Sequence, residues 1–168
     1  MIVVLMGVTG SGKTTIGELL AKRAGAIFAD ADDYHPAANK EKMAAGHPLN
    51  DQDRQPWLET LNHLMLGWYG DGKNGVLACS ALKQKYRDTL AADMPAGAIK
   101  FVWLDGSQEL ISKRLASRHH EFMNPGLLQS QFDTLEPPAD AIRVVNEQTP
   151  GQVVDNIMEK TGMVKRNK

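Results

Sequence analysis

Short apolar runs alternate with stretches of helical spacing along this chain. The first run, residues 2–6, is continuously apolar, which is typical of a strand covered on both faces in a parallel sheet. From Lys13 onward, apolar side chains recur every three or four residues, which predicts a helix that ends near Gly25. Further strands are predicted by the apolar runs at 26–29, 76–79, 99–104 and 142–145.

The second and third predicted strands are separated by about 45 residues, too many for a simple crossover. This insertion contains one strongly amphipathic helix, and Pro56 is expected in its first turn. The apolar face of that helix, in which the tryptophans are predicted core residues, consists of Trp57, Leu58, Leu61, Leu64, Met65 and Trp68. The whole pattern predicts one three-layer α/β domain over residues 1–168, with helical insertions.

Composition and charge narrow the classes of ligand. Of the 168 residues, 42% are hydrophobic and 23% are charged, as in ordinary globular domains. Nineteen basic and 20 acidic residues leave a formal charge of -1, so no overall field attracts nucleic acid or an anionic membrane. The first apolar run is too short to cross a membrane, and the single cysteine, Cys79, fits a reducing compartment. We therefore expect a cytoplasmic protein whose anionic ligands are bound by local positive groups.

A glycine-rich segment joins the first strand to the first helix. Residues 7–14 read GVTGSGKT, the complete G-x-x-x-x-G-K-[ST] pattern of a phosphate-binding P-loop. Glycines let backbone N–H groups approach phosphate oxygens, and the helix N-terminus favours negative charge there. Lys13 is predicted to contact the β- and γ-phosphates, and Thr14 to bind Mg²⁺. A plain turn is the alternative, which the full pattern in this setting disfavours. The predicted nucleotide-binding residues are Gly7, Val8, Thr9, Gly10, Ser11, Gly12, Lys13, Thr14 and Thr15.

Two carboxylates follow the second predicted strand. Asp30 and Asp32 are two residues apart, so on extended backbone they point the same way, toward the crevice where α/β sheets bind ligands. Asp30 is predicted to support Mg²⁺, and Asp32 to orient an acceptor hydroxyl and take its proton. The alternative is an acidic turn with a helix cap at Asp32 or Asp33. The third strand ends in Cys79 and Ser80, without the carboxylate of motor ATPases, and no N-K-x-D motif is present, which favours a kinase.

Longer motifs continue along nearly the whole chain. They read DADDYHP at 30–36, NKEKM at 39–43, GHPLNDQDRQPWL at 46–58, CSALKQKYRD at 79–88 and SQFDTLE at 130–136. With the P-loop and in this order, they resemble the bacterial gluconate kinases. The resemblance implies a P-loop kinase fold with a five-stranded parallel sheet, a helical substrate-binding region at about 32–70 and a mobile lid at about 117–137.

The same resemblance implies ATP, Mg²⁺ and D-gluconate as ligands, with the phosphoryl group going to the 6-hydroxyl. Such an acceptor needs cations near its carboxylate and polar groups along its hydroxyls. The predicted substrate-binding residues are Asp32, His35, Arg54, Lys83, Arg87 and Gln131. Kinases of other sugar or polyol acids, and a regulator that binds without transferring phosphate, stay open as alternatives.

Structural alternatives also stay open for the individual residues. Arg54, expected just before a helix, could form a surface pair with Asp51 or Asp53. Lys83 and Arg87, four residues apart, could form a solvated stripe on one helical face. His35 could do no more than cap or pack a turn.

The predicted helix from Ser107 to Arg118 places Arg114 and Arg118 on one face. In related kinases such arginines close over ATP, so the resemblance implies nucleotide contacts for both and a catalytic role for Arg118. A loop is predicted at 119–125, whose neighbouring histidines are not expected to bind metal. Adenine is expected near residues 146–150. Family members are often dimers, so the resemblance also admits a homodimer.

Overall fold

Five parallel strands form the central sheet, as the sequence predicts. The computed structural model describes residues 1–8, 10–116 and 125–164. The strands lie in the order β2-β3-β1-β4-β5, and every neighbouring pair is parallel. Their bounds are β1 Ile2–Met6, β2 Ile27–Asp30, β3 Gly75–Ala78, β4 Ile99–Asp105 and β5 Ile142–Val145.

Helices cover both faces of this sheet, which gives the predicted three layers. The first and last helices, α1 and α7, pack on one face, and α3 and α4 pack on the other. A 3-10 turn, Ala31–Tyr34, follows β2. The helices are α1 Lys13–Ala24, α2 Ala37–Ala44, α3 Asp51–Gly70, α4 Gln84–Leu90, α5 Gln108–Ala116, α6 Pro125–Thr134 and α7 Pro150–Thr161.

The central strand β1 explains why its sequence is continuously apolar. Val3 and Leu5 face α1 and α7, whereas Ile2, Val4 and Met6 face the α3 side, and all five are fully buried. Burying each such side chain contributes about 1.5–3 kcal/mol. A strand with no solvent-facing side has no position for a polar residue, so the period-2 alternation is lost.

Strands β2 and β3 differ by one residue from their predicted bounds. β2 runs through Asp30, and β3 begins at Gly75, which pairs with Ile2 and Ile27. The Trp68 ring packs directly on Gly75, where a Cβ would lie 2.2 Å from a ring carbon. Only glycine therefore fits at the first position of β3. A glycine by itself does not indicate a strand, so the predicted strand begins one residue later.

Helix α3 begins earlier than the position of Pro56 suggests. Asn50 caps it, with a reciprocal capping box to Asp53, so the first helical residue is Asp51. Pro56 consequently lies in the second turn, and Arg54 lies inside the helix rather than before it; both expectations were wrong. The missing N–H of Pro56 removes one helical hydrogen bond near the helix start. The buried face includes Trp57, Leu58, Leu61, Met65 and Trp68, as predicted.

Part of the predicted lid at 117–137 lies outside the described residues, as does the C-terminal end of the helix predicted to reach Arg118. The described part consists of α6 and the segment after it. Within the described ranges, no helix combines the length and the apolarity needed to cross a membrane.

Candidate active site

The P-loop follows β1 and leads directly into α1. Gly7 donates its backbone N–H to the Ser80 carbonyl at 3.2 Å, which fastens the loop beside the carboxyl end of β3. Lys13 Nζ donates to the carbonyl oxygens of Gly7 and Val8, each at 3.0 Å, so its ammonium group folds back over the loop. Positive charge is therefore concentrated at the N-terminus of α1, where the helix dipole adds to it.

Close packing leaves no room for side chains at two glycines of this loop. A Cβ on Gly7 would lie 2.8 Å from the Leu104 carbonyl oxygen, and one on Gly12 would lie 2.5 Å from Asn146 Nδ2. The Ser11 hydroxyl is buried without a hydrogen-bond partner among the described residues. A buried, unsatisfied hydroxyl in a glycine-rich loop at a helix N-terminus fits a loop that binds phosphate oxygens.

Asn146, which follows β5, braces the loop from the other side. Its buried side chain donates from Nδ2 to the Ser11 carbonyl at 2.6 Å, and its backbone N–H donates to Asp105. Arg114 of α5 donates to the Asn146 carbonyl oxygen, which places this arginine next to the loop. The sequence pointed to residues 146–150 as an adenine region but gave no sign that an asparagine there supports the P-loop.

Two oxygen ligands lie side by side next to the loop. Thr14 Oγ1 donates to Asp30 Oδ2 at 3.0 Å, while Asp30 Oδ1 accepts the backbone N–H of Asp32. Asp30, rather than Asp32 or Asp33, thus caps the 3-10 turn. A hydroxyl and a carboxylate suit Mg²⁺, which takes one or two protein ligands and completes its shell with water and phosphate oxygens. The described residues contain no larger metal-binding group.

Asp32 lies in the 3-10 turn beside Asp30, with its side chain open to solvent on one side. Surrounding protein reduces the hydration of its carboxyl and the Asp30 carboxylate repels its charge, so both raise its pKa, against the opposing effect of Lys13. Water on the exposed side tempers the first cause. A carboxyl with a raised pKa is a better proton acceptor than an ordinary aspartate.

A small pocket opens between α3, α4 and α6. Two of the predicted substrate ligands, Arg54 and Gln131, line it together with Ser80, which follows β3. The other lining residues are Trp57, Leu82, Tyr86, Ser130 and Thr134. The pocket thus combines one guanidinium, several neutral hydrogen-bonding groups and aromatic walls, which is the composition of a site for a small polar anion.

Arg54 does not form the surface ion pair that was open as an alternative. Its Nη1 donates to the Tyr86 hydroxyl at 3.0 Å, and that hydroxyl donates to Asp51 Oδ1 at 2.5 Å. Asp53 pairs with Lys42 instead, with 2.6 Å between the charged atoms. Arg54 is therefore held at the pocket by a hydrogen bond to a neutral group.

Lys83 and Arg87 do not share a solvated helical face. Lys83 precedes α4 on extended backbone and pairs with Asp51 at 3.3 Å. Arg87 is buried, and its guanidinium donates to the carbonyl oxygens of Ala81 at 2.7 Å and Glu136 at 2.9 Å. Arg87 thereby joins α4 to the segment that follows α6. A substrate contact by Arg87 stays a prediction.

His35 stacks on Trp57, with ring centroids 4.2 Å apart and an angle of 15° between the planes. Burial lowers its pKa, and the positive charges of Arg54 and Lys40 lower it further, so the ring is neutral at pH 7. Asn39 Nδ2 lies 3.3 Å from His35 Nδ1. The packing role is therefore present; a contact with substrate stays a prediction.

Known proteins match this chain over most of its length. A family model described as "Shikimate kinase" matches residues 9–161. A probable gluconokinase from Xenopus tropicalis is 50% identical over 159 residues, covering 86% of this chain and 83% of the relative. The thermosensitive gluconokinase of Escherichia coli K12 is 41% identical over 169 residues, covering 98% and 89%. The crystal structure of a gluconokinase from Sinorhizobium meliloti 1021 has a TM-score of 0.85 at 37% identity, covering 95% of this chain and 90% of that one.

This chain belongs to the gluconokinase family.

Family membership confirms the predicted P-loop kinase fold and makes the chain a phosphotransferase that uses a nucleotide. Because similar gluconokinases come from a frog as well as from bacteria, the resemblance is not restricted to bacterial enzymes. Two predicted site residues, Thr9 and Arg118, lie outside the described residues, together with His119 and His120. Their roles stay predictions.

Proposed function

We propose that this protein is a gluconokinase, which transfers the γ-phosphoryl group of ATP to the 6-hydroxyl of D-gluconate and releases ADP and 6-phospho-D-gluconate. The observation that carries the proposal is the arrangement at the carboxyl edge of the sheet. There the P-loop with Lys13 follows β1 and Asp32 follows β2. The cationic pocket at Arg54 lies beside the end of β3, the strand between them. The chain is also 41% identical to a gluconokinase over 98% of its length.

In this proposal the P-loop binds the phosphates of the nucleotide. Backbone N–H groups of the loop, other than those of Gly7 and Ser11, and the Ser11 hydroxyl donate to phosphate oxygens. Lys13 exchanges its loop carbonyls for the β- and γ-phosphates. Thr14 and Asp30 hold Mg²⁺, which supplies charge neutralisation on the phosphates when it is bound. Gly12 must stay unsubstituted, because the loop is packed against Asn146 there.

Asp32 orients the acceptor. Its carboxylate accepts a hydrogen bond from the 6-hydroxyl of gluconate and takes that proton as the hydroxyl oxygen bonds to phosphorus. The raised pKa of Asp32 favours this transfer, because the surrounding protein reduces the hydration of its carboxylate and so favours the protonated form. The proton then passes to solvent on the exposed side of the residue.

The far end of gluconate lies in the pocket. Arg54 binds the substrate carboxylate, with Lys83 as the second positive charge, since the two cations lie on the same tyrosine ring. His35 and Gln131 bind hydroxyls along the chain of the substrate. Arg114 and Arg118 approach the nucleotide when the lid closes, and Arg118 stabilises the charge of the transition state.

The test is a coupled ADP-release assay with Mg·ATP and a panel of acceptors. The panel contains D-gluconate, its epimers, shikimate and nucleoside monophosphates. Turnover with D-gluconate at a kcat/KM at least tenfold above every other acceptor supports the proposal. If another acceptor is preferred, the protein is still a kinase, but the assignment of the pocket to gluconate is wrong. If no acceptor is phosphorylated although ATP still binds, the protein is a nucleotide-binding regulator.

We place the reaction in the cytoplasm. Sedimentation of the purified protein tests the homodimer that the family resemblance suggests.

A further inference from the structure

The Tyr86 hydroxyl lies between two charged residues of the first turn of α3. It accepts a hydrogen bond from Arg54 Nη1 at 3.0 Å and donates one to Asp51 Oδ1 at 2.5 Å. Tyr86 belongs to α4 and is 5% exposed, so its ring is fixed by the core. No step of the phosphoryl transfer described above uses this residue.

The same tyrosine also lies close to a second cation, Lys83, beside the pocket. Arg54 Cζ lies 5.4 Å from the centroid of the Tyr86 ring, and Lys83 Nζ lies 5.6 Å from it. Cations at these distances are attracted to an aromatic ring. Arginine and lysine lose much rotamer freedom when they are held in place. The buried ring, together with the ion pair between Lys83 and Asp51, therefore holds both positive groups before the substrate arrives.

Asp51 sets the direction of the hydrogen bonds at Tyr86. Its carboxylate accepts from Lys85, Tyr86 and Lys83, and these three donors, Lys85 most of all, hold the pKa of Asp51 well below its usual range. An ionised carboxylate can only accept, so the tyrosine proton points toward Asp51. The lone pairs of the tyrosine oxygen are then left for the Arg54 guanidinium, which can only donate.

We propose that Tyr86 is a positioning residue that makes the pocket prefer a carboxylate over a neutral alcohol, by holding Arg54 and Lys83 in place as a pair. This inference rests on the proposed function. A fixed pair of cations discriminates more strongly than two mobile ones, because the ordering cost does not have to be met when the acid binds. The hydroxyl of Tyr86, rather than its ring, sets the orientation of Arg54.

The test compares Tyr86→Phe with wild type on two ligands that differ only at one end. D-gluconate is measured as the substrate, and D-glucitol, in which the carboxylate is replaced by an alcohol, as its competitive inhibitor. In Tyr86→Phe we expect KM for gluconate to rise about tenfold, because Arg54 loses one hydrogen bond to the tyrosine hydroxyl and such a bond to a charged group corresponds to about a tenfold change in affinity. The kcat and the KM for ATP should stay within twofold, as should the inhibition constant of glucitol. A general loosening of the structure would weaken both ligands alike.

Tyr69→Phe is the matched control, since Tyr69 lies exposed near the other end of α3 and should leave every constant unchanged. Asp51→Asn removes the acceptor charge without touching the core. Because Asp51 also pairs directly with Lys83, this variant tests the ordered pair of cations as a whole if Tyr86→Phe does not fold. It should lower the preference for gluconate over glucitol in the same direction. If the folded variants keep a preference for gluconate over glucitol within twofold of that of wild type, the inference is wrong. Wild-type protein that does not turn over gluconate overturns the proposed function and this inference with it, a result visible before any variant is made.

Discussion

Replacing Gly12 by alanine should destabilise the protein for two separable reasons. Gly12 has a φ of +96°, and alanine in left-handed backbone costs about 1–2 kcal/mol. In addition, the new Cβ would lie 2.5 Å from Asn146 Nδ2 and displace the amide that donates to the Ser11 carbonyl. Leaving those buried groups unpaired costs about 1–3 kcal/mol. We therefore expect Gly12→Ala to lower the free energy of unfolding by about 2–5 kcal/mol.

A double-mutant cycle separates the two contributions. In an Asn146→Ala background the clash and the lost hydrogen bond are already absent, so Gly12→Ala should cost only the backbone term of about 1–2 kcal/mol. Gly97→Ala is a matched control, because Gly97 has a φ of +81° with no atom near its absent Cβ. It should cost the same as Gly12→Ala does in the Asn146→Ala background.

The measurement is urea unfolding of the four members of the cycle and of Gly97→Ala, followed by circular dichroism. Nucleotide affinity from isothermal titration calorimetry gives a second readout, since the displaced Asn146 amide no longer supports the P-loop at Ser11. If Gly12→Ala costs as much without Asn146 as with it, the contact between these residues does not support the loop and the reasoning is refuted.

Three further substitutions test the site. Lys13→Ala should lower kcat by about 10²–10³-fold or more while the circular dichroism spectrum stays that of wild type; near-normal kcat would contradict the mechanism. Asp32→Asn should abolish turnover yet raise the melting temperature at pH 7. Folding raises the pKa of Asp32, so the ionised carboxylate destabilises the folded protein at pH 7, and asparagine removes that cost. The gain in stability should vanish as the pH falls below about 3.9, the ordinary pKa of aspartate, because the carboxyl is then protonated in both the folded and the unfolded protein. An Asp32→Asn variant less stable than wild type at neutral pH would reverse that sign. Arg87→Met should cost about 2–4 kcal/mol in urea unfolding, because two backbone carbonyls lose their donor. The KM for gluconate of the same variant tests the predicted substrate contact: a KM within twofold of wild type would contradict it.

The local pattern of residues was sufficient to predict the strands of the sheet, the P-loop and the main apolar helical face of the insertion. A strand buried on both sides must be apolar throughout, as β1 is, and a phosphate loop needs glycines at set spacings before a helix. These requirements act within a few neighbouring residues, so the sequence displays them directly. The start of α3 is also encoded locally, in the capping box of Asn50 and Asp53, which begins six residues before Pro56.

Tertiary structure alone decided what the polar side chains do. Lys83 and Arg87 have the same spacing as any exposed pair on a helix, yet one pairs with Asp51 and the other is buried on backbone carbonyls. Asn146 and Ser11 are 135 positions apart and meet because β5 and β1 end at the same edge of the sheet. A hydrogen bond depends on distances of a few tenths of an ångström between residues remote in the chain, and a composition or a periodicity carries no information at that scale.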